Sequence, residues 1–223
     1  MIELQPAGAE ALLLVLAERP DAQLPARLAQ LAETLRQQLG SELRDLVPGW
    51  NSLLLHYDLL RTDHQQLSSR LRPLLDAWQR EASRPATGRL HQIPVCYDGA
   101  DLAEVARACG LSIDAVIALH SAVEYRVGAI GFAPGFAYLG ELDARLALPR
   151  RATPRTRVPA GSLAIAERQT AIYPQASPGG WHLIGRCPWR LFDAQATPPC
   201  PLALGDRVRF VAIDAAAFQA ESR

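Results

Sequence analysis

The sequence predicts an α+β protein of two domains: a small N-terminal ferredoxin-like α/β unit and a larger C-terminal unit made mainly of β-strands. Three observations carry this reading. Between residues 24 and 78, apolar residues recur at helical gaps of three and four, next to short apolar runs of strand length. The segment SRPATGRL (83–90) then breaks the apolar pattern with Ser, Pro, Thr and Gly. From residue 124 onward the chain is a series of short apolar runs punctuated by Gly and Pro, the pattern of a sandwich or barrel. The domains are accordingly placed at 1–83 and 91–223, with a linker at 84–90.

Each element has its own local reason. AEALLLVLAE (9–18) is apolar and short enough for a buried strand. Asp21 can cap a helix that carries Leu24, Leu28, Leu31, Leu35 and Leu39 on one face, and Gly40 is a natural stop. LVPGWNSLLLHYD (46–58) reads as a turn followed by a strand. Thr62 and Gln65 form a capping box for a second helix with Leu67, Leu71, Leu74 and Trp78, which Pro73 should kink or split. After the linker, HQIPVCYD (91–98) reads as a strand. DLAEVARACG (101–110) has Asp101 and Glu104 as a capping box and Gly110 as its end. Ser112 caps a further short helix with Val116, Leu119 and Val123. EYRVGAIGF, GSLAIAE, QTAIYP, GWHLIG and DRVRFVAI then supply the strands.

Composition excludes several kinds of chemistry. The formal net charge is zero, so no global field draws the chain to nucleic acid or to a membrane surface. All 23 basic residues are Arg, which removes a P-loop lysine, a Schiff-base lysine and a lysine base. Cys96, Cys109, Cys187 and Cys200 are widely spaced with no C-x-x-C, and no His, Cys, Asp and Glu spacing suggests a metal. The start MIELQPAGAE lacks the basic region of a secretory signal, and no apolar run approaches membrane-spanning length. A cytoplasmic protein with reduced thiols is the expectation. VARACGLSIDAV (105–116) has the outline of a helix-turn-helix, but SIDAVIALHS (112–121) has no Arg to reach phosphates or bases, so a packed helical pair is expected.

The candidate site lies in the second domain. Residues 144–166 hold Arg145, Arg150, Arg151, Arg155 and Arg157 and no acid, on a Pro-punctuated loop. Arg is the fork-shaped donor for carboxylate and phosphate, so an anionic ligand or acidic partner suits this loop, and a solvated basic turn is the plain alternative. In PQASPGGWHLIG (174–185), Gly179 and Gly180 supply either a tight hairpin or an exposed backbone nest for an anion. Ser162 sits in PAGSLA without the nucleophile-elbow pattern, and reads as a hydrogen-bonding residue. His120 ends a short helix and can serve as an acid, a base or a satisfied half-buried histidine. GFAPGFAYLGELDARLALPR (131–150) is too apolar for an exposed loop and too rich in Gly and Pro for a helix. It reads as a groove wall with Phe132, Pro134, Phe136 and Tyr138.

GFAPGFAYLGEL, LPRRATPRTRVPAGSLAIAERQTAIYP and SPGGWHLIGRCPWRLFD together resemble the carboxyltransferase-domain subdomain 1 family, and PGWNSLLLHYD and GDRVRFVAI fit its pattern too. That family includes the B component of bacterial 5-oxoprolinase, an inhibitor of a sporulation histidine kinase, and allophanate-hydrolase-like subunits. The resemblance implies a cyclophilin-like β-barrel for residues 91–223. It implies 5-oxoprolinase subunits C and A as partners in ATP-dependent opening of 5-oxoproline to glutamate, with ATP as co-substrate and Mg2+ in the complex. On that reading His120 is the acid/base and Arg155 a catalytic charge stabiliser. Arg150, Arg157, Ser162, Gln169, Thr170, Tyr173, Gly179 and Gly180 bind ligand. The other members imply different roles: for a kinase inhibitor, Phe132, Phe136 and Tyr138 would anchor a histidine kinase, and an allophanate-hydrolase-like role is the third.

Overall fold

The computed structural model describes residues 2–19, 21–81 and 88–221. The chain divides into two compact units, Met1–Gly88 and Arg89–Arg223. Of the expected linker, residues 84–87 lie outside the described residues.

The first unit runs β1 (Glu3–Pro6), β2 (Ala11–Val15), α1 (Leu24–Leu39), β3 (Leu43–Pro48), β4 (Ser52–Tyr57) and α2 (His64–Arg80). Its four strands lie in the order β1-β2-β4-β3 and every neighbouring pair is antiparallel. This ββαββα order is the ferredoxin-like βαββαβ order with the last strand moved to the front. Two strands go beyond what the sequence predicts. β1 and β3 keep most side chains at least partly exposed, so no apolar run marks them, and Leu46–Pro48 ends a strand rather than forming the turn.

In α1 all five expected leucines are buried. The Asp21 carboxylate accepts from the N–H groups of Gln23 and Leu24 at 2.7 and 2.8 Å, and Gly40 leaves the helix at φ 50°. The cap of α2 corrects the expected Thr62–Gln65 box: Asp63 is the cap and accepts from Gln66 N–H at 2.8 Å, while Thr62 is buried. Pro73 does not split the helix. Leu67, Leu71 and Leu75 bury both halves in one core, and that packing outweighs the local cost of proline. Trp78 is only half-buried, with the Arg27 guanidinium 4.1 Å over its ring.

The second unit comprises β5 (Leu90–Val95), α3 (Leu102–Ala108), α4 (Ile113–Ala122), β6 (Glu124–Ile130), β7 (Ala137–Gly140) and β8 (Arg155–Val158). It continues through β9 (Ser162–Ala166), β10 (Gln169–Ile172), β11 (Ser177–Gly179), β12 (His182–Arg186), β13 (Arg207–Ala212) and α5 (Ala215–Glu221). Seven strands form one curled sheet in the order β12-β9-β10-β7-β6-β13-β5. Its two ends meet just past β5, where Cys96 and Arg186 exchange backbone hydrogen bonds of 2.9 and 2.8 Å and close the curl. β8 and β11 form a separate antiparallel ribbon.

Alternate residues of the curled sheet feed two cores. Leu139, Leu163, Ile165, Ile172 and Ile184 point inward, where Val105 and Val116 of the two helices join them. Ala164, Ala166, Ala171 and Leu183 point outward and are covered by Val158 of the ribbon, Tyr173 and Trp181. Both faces of β9 are thereby covered, which explains its continuous apolar run. All four cysteines are free, and burial pushes the Cys187 thiol up to about 12. Among the described residues, no helix is long and apolar enough to cross a membrane.

The closing seam requires glycine. A Cβ on Gly185 would stand 2.7 Å from the Cys96 carbonyl oxygen and 2.9 Å from a Val95 methyl, and one on Gly99 would collide with the backbone of Leu183 and Ile184. Gly185→Ala should therefore destabilise the second unit by about 2 kcal/mol or more, since backbone rather than a flexible side chain must yield. A lowered midpoint in urea, with the far-UV spectrum retained in water, is the expected result.

Candidate functional site

The site-bearing surface is built on one carboxylate. Asp101 precedes α3, and its side chain is only 3% exposed. Its oxygens accept from Leu183 N–H at 2.7 Å, from both terminal nitrogens of Arg155 at 2.9 and 2.7 Å, and from Arg151 Nη1 at 3.0 Å. Burial alone would raise its pKa. The hydrogen bonds from Arg155 and Leu183, with the charges of Arg155 and Arg151, outweigh burial and hold the carboxyl below the usual range. This corrects the expected capping box. Asp101 makes no side-chain cap, and Glu104 instead accepts from Arg151 Nη1 at 3.1 Å.

The arginines of this segment find acids both at its edge and, through the fold, far off in sequence. Arg145 pairs with Asp143, and Arg151 and Arg155 with Asp101. Arg155, expected as a catalytic group, has both terminal nitrogens committed to Asp101, so its primary work is to hold β8 against the start of α3. Arg150 differs: its side chain is 61% exposed and its acidic neighbour Glu167 lies at 3.8 Å. Arg157 is exposed and has no ion pair among the described residues.

His120 is the clearest correction. Expected as an acid/base, it is fully buried in the barrel and stacked on Phe210, with ring centroids 4.8 Å apart. Thr170 Oγ1 donates to the Ala164 carbonyl at 3.1 Å, so it accepts from His120 Nε2–H at 2.9 Å. His120 Nδ1 then accepts from the Tyr97 hydroxyl at 2.8 Å. Burial lowers the His120 pKa to about 3. The ring is a neutral link in a one-directional polar chain through an apolar core, out of reach of any ligand outside the barrel. Thr170 belongs to this chain and faces away from the expected ligand surface, because adjacent strand residues point to opposite faces.

The other expected residues divide similarly. Ser162 is buried at the start of β9, opposite Arg186. Gln169 is half-exposed at the sheet's surface. Tyr173 is buried on the outer face, and its hydroxyl occupies the place a Cβ on Gly179 would take. Gly179 and Gly180 do not have positive φ, which corrects the nest reading; Gly179 lies in the ribbon, and the Gly180 carbonyl accepts from Arg151 N–H at 2.7 Å.

The groove residues do come together. Phe136 sits at the centre of an edge-to-face aromatic cluster, 4.8 Å from Tyr138, 5.3 Å from Tyr173, 5.9 Å from Trp181 and 5.3 Å from Phe132. Phe132 is 65% exposed and held at φ 71°, a left-handed backbone unusual for a bulky aromatic residue. Pro134 is exposed in the same turn, and Gly135, at φ 78°, lets that turn abut the Leu191 carbonyl. Arg150 lies near enough that its charge acts on both Tyr138 and Tyr173, against the larger upward push of burial on each. Trp181, His182, Glu104 and the role of Asp101 were not apparent from the sequence. The aromatic–histidine pair directly after Ser-Pro-Gly-Gly was the available signal for the first two. Among the described residues, no cluster of His, Cys, Asp and Glu could hold a metal ion.

Comparison with known proteins places the chain in a family. A family described as carboxyltransferase domain, subdomain C and D, matches residues 2–202. A protein of Escherichia coli O157:H7, named as the B subunit of 5-oxoprolinase, is 44% identical over 170 residues, covering 75% of this chain and 77% of the relative. A Bacillus subtilis protein of the same name is 49% identical over 140 residues, covering 60% and 58%. The crystal structure of TTHA0988 superposes with a TM-score of 0.81 at 41% identity. It covers 93% of this chain, which spans only 41% of that longer chain. The Kluyveromyces lactis urea amidolyase shares the fold at 18% identity and a TM-score of 0.74, where 98% of this chain matches 15% of that one.

Two outcomes follow from the site's electrostatics. Asp101→Asn should cost about 3 kcal/mol, because it leaves two guanidinium groups without their buried counter-charge. Chemical denaturation monitored at Trp fluorescence measures it. For His120, the folded pKa lies below the unfolded one, so acid favours the unfolded chain. The stabilisation is complete above about pH 6.5 and is lost as pH falls toward 3. His120→Gln should flatten the stability profile across that window relative to the natural chain.

Proposed function

This chain belongs to the carboxyltransferase-domain, subdomain C and D, family, and on that premise we propose that it is the B subunit of an ATP-dependent 5-oxoprolinase. The observation that carries the proposal is the 44% identity, over about three quarters of both chains, to a protein named as that subunit. On this reading it works with subunits A and C in the cytoplasm, and the complex opens 5-oxo-L-proline to L-glutamate.

The chemistry accounts for ATP. The lactam is a poor electrophile, and transfer of the γ-phosphoryl group to its amide oxygen activates the ring carbon. ADP leaves in that transfer; one water then opens the ring to an acyl phosphate, and a second cleaves the acyl phosphate to glutamate and phosphate. Mg2+ would accompany the nucleotide in the complex. This chain has no lysine, and its sequence has no P-loop, so the nucleotide-handling groups are assigned to the partners. Substrate and transferred group are anions, which suits the exposed guanidinium groups of Arg150 and Arg157. Tyr138 supplies aromatic surface beside Arg150, and the exposed Phe132 supplies an anchor for a partner protein.

Co-expression with subunits A and C tests this. ATP-dependent glutamate release from 5-oxo-L-proline is expected from the full set and not from any set lacking this chain. Absence of release from a stable, correctly assembled complex would overturn the reading.

A further inference from the structure

A second group of arginines lies on the outer face of the curled sheet, across β6 and β13. Tyr125 and Val127 of β6, and Val208 and Phe210 of β13, fill the inner core. Glu124, Arg126, Arg207 and Arg209 alternate with them and therefore point outward. Arg126 and Arg207 stand directly opposite each other on antiparallel strands, which places their Cβ atoms about 5 Å apart. Like charges in that position are destabilising unless a negative group lies between them. Glu124, the carboxylate on this face, accepts from Arg207 Nη1 at 3.3 Å and from Arg209 Nη2 at 3.4 Å, and is not bonded to Arg126.

Arg126 is half-buried, and its guanidinium has no hydrogen bond or ion pair among the described residues. Its Nη1 is buried without a partner, and the Nε–Nη2 edge is the part of the fork that reaches the surface. This chain uses the same edge to hold anions elsewhere. Arg145 grips Asp143 through Nε and Nη2 at 3.0 and 2.7 Å, and Arg186 grips Asp98 in the same way. β7 sets Gly140, which has no side chain, against Arg126, and β10 sets the half-exposed Gln169 beyond it. Charge gives the class of ligand. Three guanidinium groups on this face share one carboxylate. The other acids bordering it have their own cations: Glu141 pairs with Arg168 at 2.7 Å and Glu167 with Arg150 at 3.8 Å. Asp206 turns the other way and accepts from His91 Nε2 and from the N–H groups of Arg89 and Ala203. An excess of two positive charges matches a phosphate group, close to a dianion at neutral pH, better than it matches a single carboxylate.

We propose that the outer face of β6 and β13 is a phosphate-binding site. Arg126 holds two phosphate oxygens on its Nε–Nη2 edge, and Arg207 and Arg209 supply flanking charge. The inference does not depend on the activity proposed above, which gives these three residues no role.

The experiment is a titration of the full chain with inorganic phosphate at constant ionic strength, followed by ¹⁵N NMR of the Arg Nε–H groups, with acetate and chloride as comparison anions. Saturable shifts centred on Arg126 are expected with phosphate, with acetate about tenfold weaker and chloride giving no saturation. Methyl phosphate distinguishes the source: binding as tight as that of free phosphate points to a phosphate ester, and weaker binding to the free ion. Arg126→Gln should weaken binding about tenfold, read at Arg207 and Arg209, and Glu124→Gln should tighten it by removing the competing carboxylate. Arg126 has no side-chain partner to lose, so its variant should fold, and its urea midpoint without phosphate checks this. Equal shifts with chloride, acetate binding as tight as phosphate, or undiminished binding by Arg126→Gln overturns the site. Should Arg126→Gln fail to fold, Glu124→Gln decides, and unchanged or weaker binding by that variant overturns the site.

Discussion

The buried carboxylate of Asp101 is the constraint on which the second unit's working surface depends. It lies at the meeting of three segments distant in sequence: the start of α3, the backbone of β12 and the Arg loop running into β8. The Leu183 N–H fixes it to the sheet at 2.7 Å, and the Asp101 N–H donates back to the Leu183 carbonyl at 2.9 Å. The side chain is therefore held in place by the sheet as well as by the arginines. Arg155 and Arg151 then attach to it, and a loop studded with proline gains a fixed path. A buried charge adds little net stability when paired, yet losing its partner is costly. The result is a loop whose position is strongly specified at modest thermodynamic gain, the appropriate device for a surface that must present groups accurately.

A second constraint comes from burying the curled sheet on both faces. The inner core is closed by the helices, and the outer one by the β8–β11 ribbon. The ribbon is only two short strands, so its cover is completed by large aromatics: Tyr173, Trp181 and Phe136. Glycine at 179 is what permits this, since the Tyr173 hydroxyl fills the volume its side chain would need. The cluster grades outward from Phe136 at 2% exposure to Phe132 at 65%. A strained, exposed aromatic at the end of a well-packed aromatic row is rigidly presented, and so suits recognition better than core formation.

The legibility of the sequence follows from the range of the forces involved. Elements set by local periodicity were readable: α1 from its leucines, α4 from its Ser112 cap, and β9, β10, β12 and β13 from short apolar runs with Gly or Pro at an end. Elements lacking an apolar run were not readable. β1 and β3 keep mostly exposed side chains, β7 has only four residues inside a Gly/Pro-rich stretch, and β8 looked like part of a basic loop. The site was harder, because its interactions are long-range. Asp101 and Glu104 have the spacing of a capping box, and nothing local shows that arginines fifty residues on will claim them. Arg151 and Arg155 looked uncompensated because their acids, Asp101 and Glu104, lie some fifty residues earlier in the chain.

His120 and Arg150 show why residue type alone assigns roles poorly. His120 has the more reactive side chain, but the fold surrounds it with Phe210, Tyr125 and Tyr97 and uses both of its nitrogens. The direction of that chain is forced. The Ala164 carbonyl can only accept, which sets Thr170, then the histidine tautomer, then the Tyr97 hydroxyl. A proton added to this ring would reverse the bond to Tyr97 and place a charge inside an apolar core, so burial keeps the histidine neutral. Arg150 has no such enclosure: the fold leaves it exposed, with its charge close to Tyr138 and Tyr173 of the aromatic cluster. Of the five arginines between Arg145 and Arg157, the acids neutralise Arg145, Arg151 and Arg155. Arg157 has no ion pair among the described residues and Arg150 only a long contact with Glu167, so these two carry the loop's least compensated positive charge.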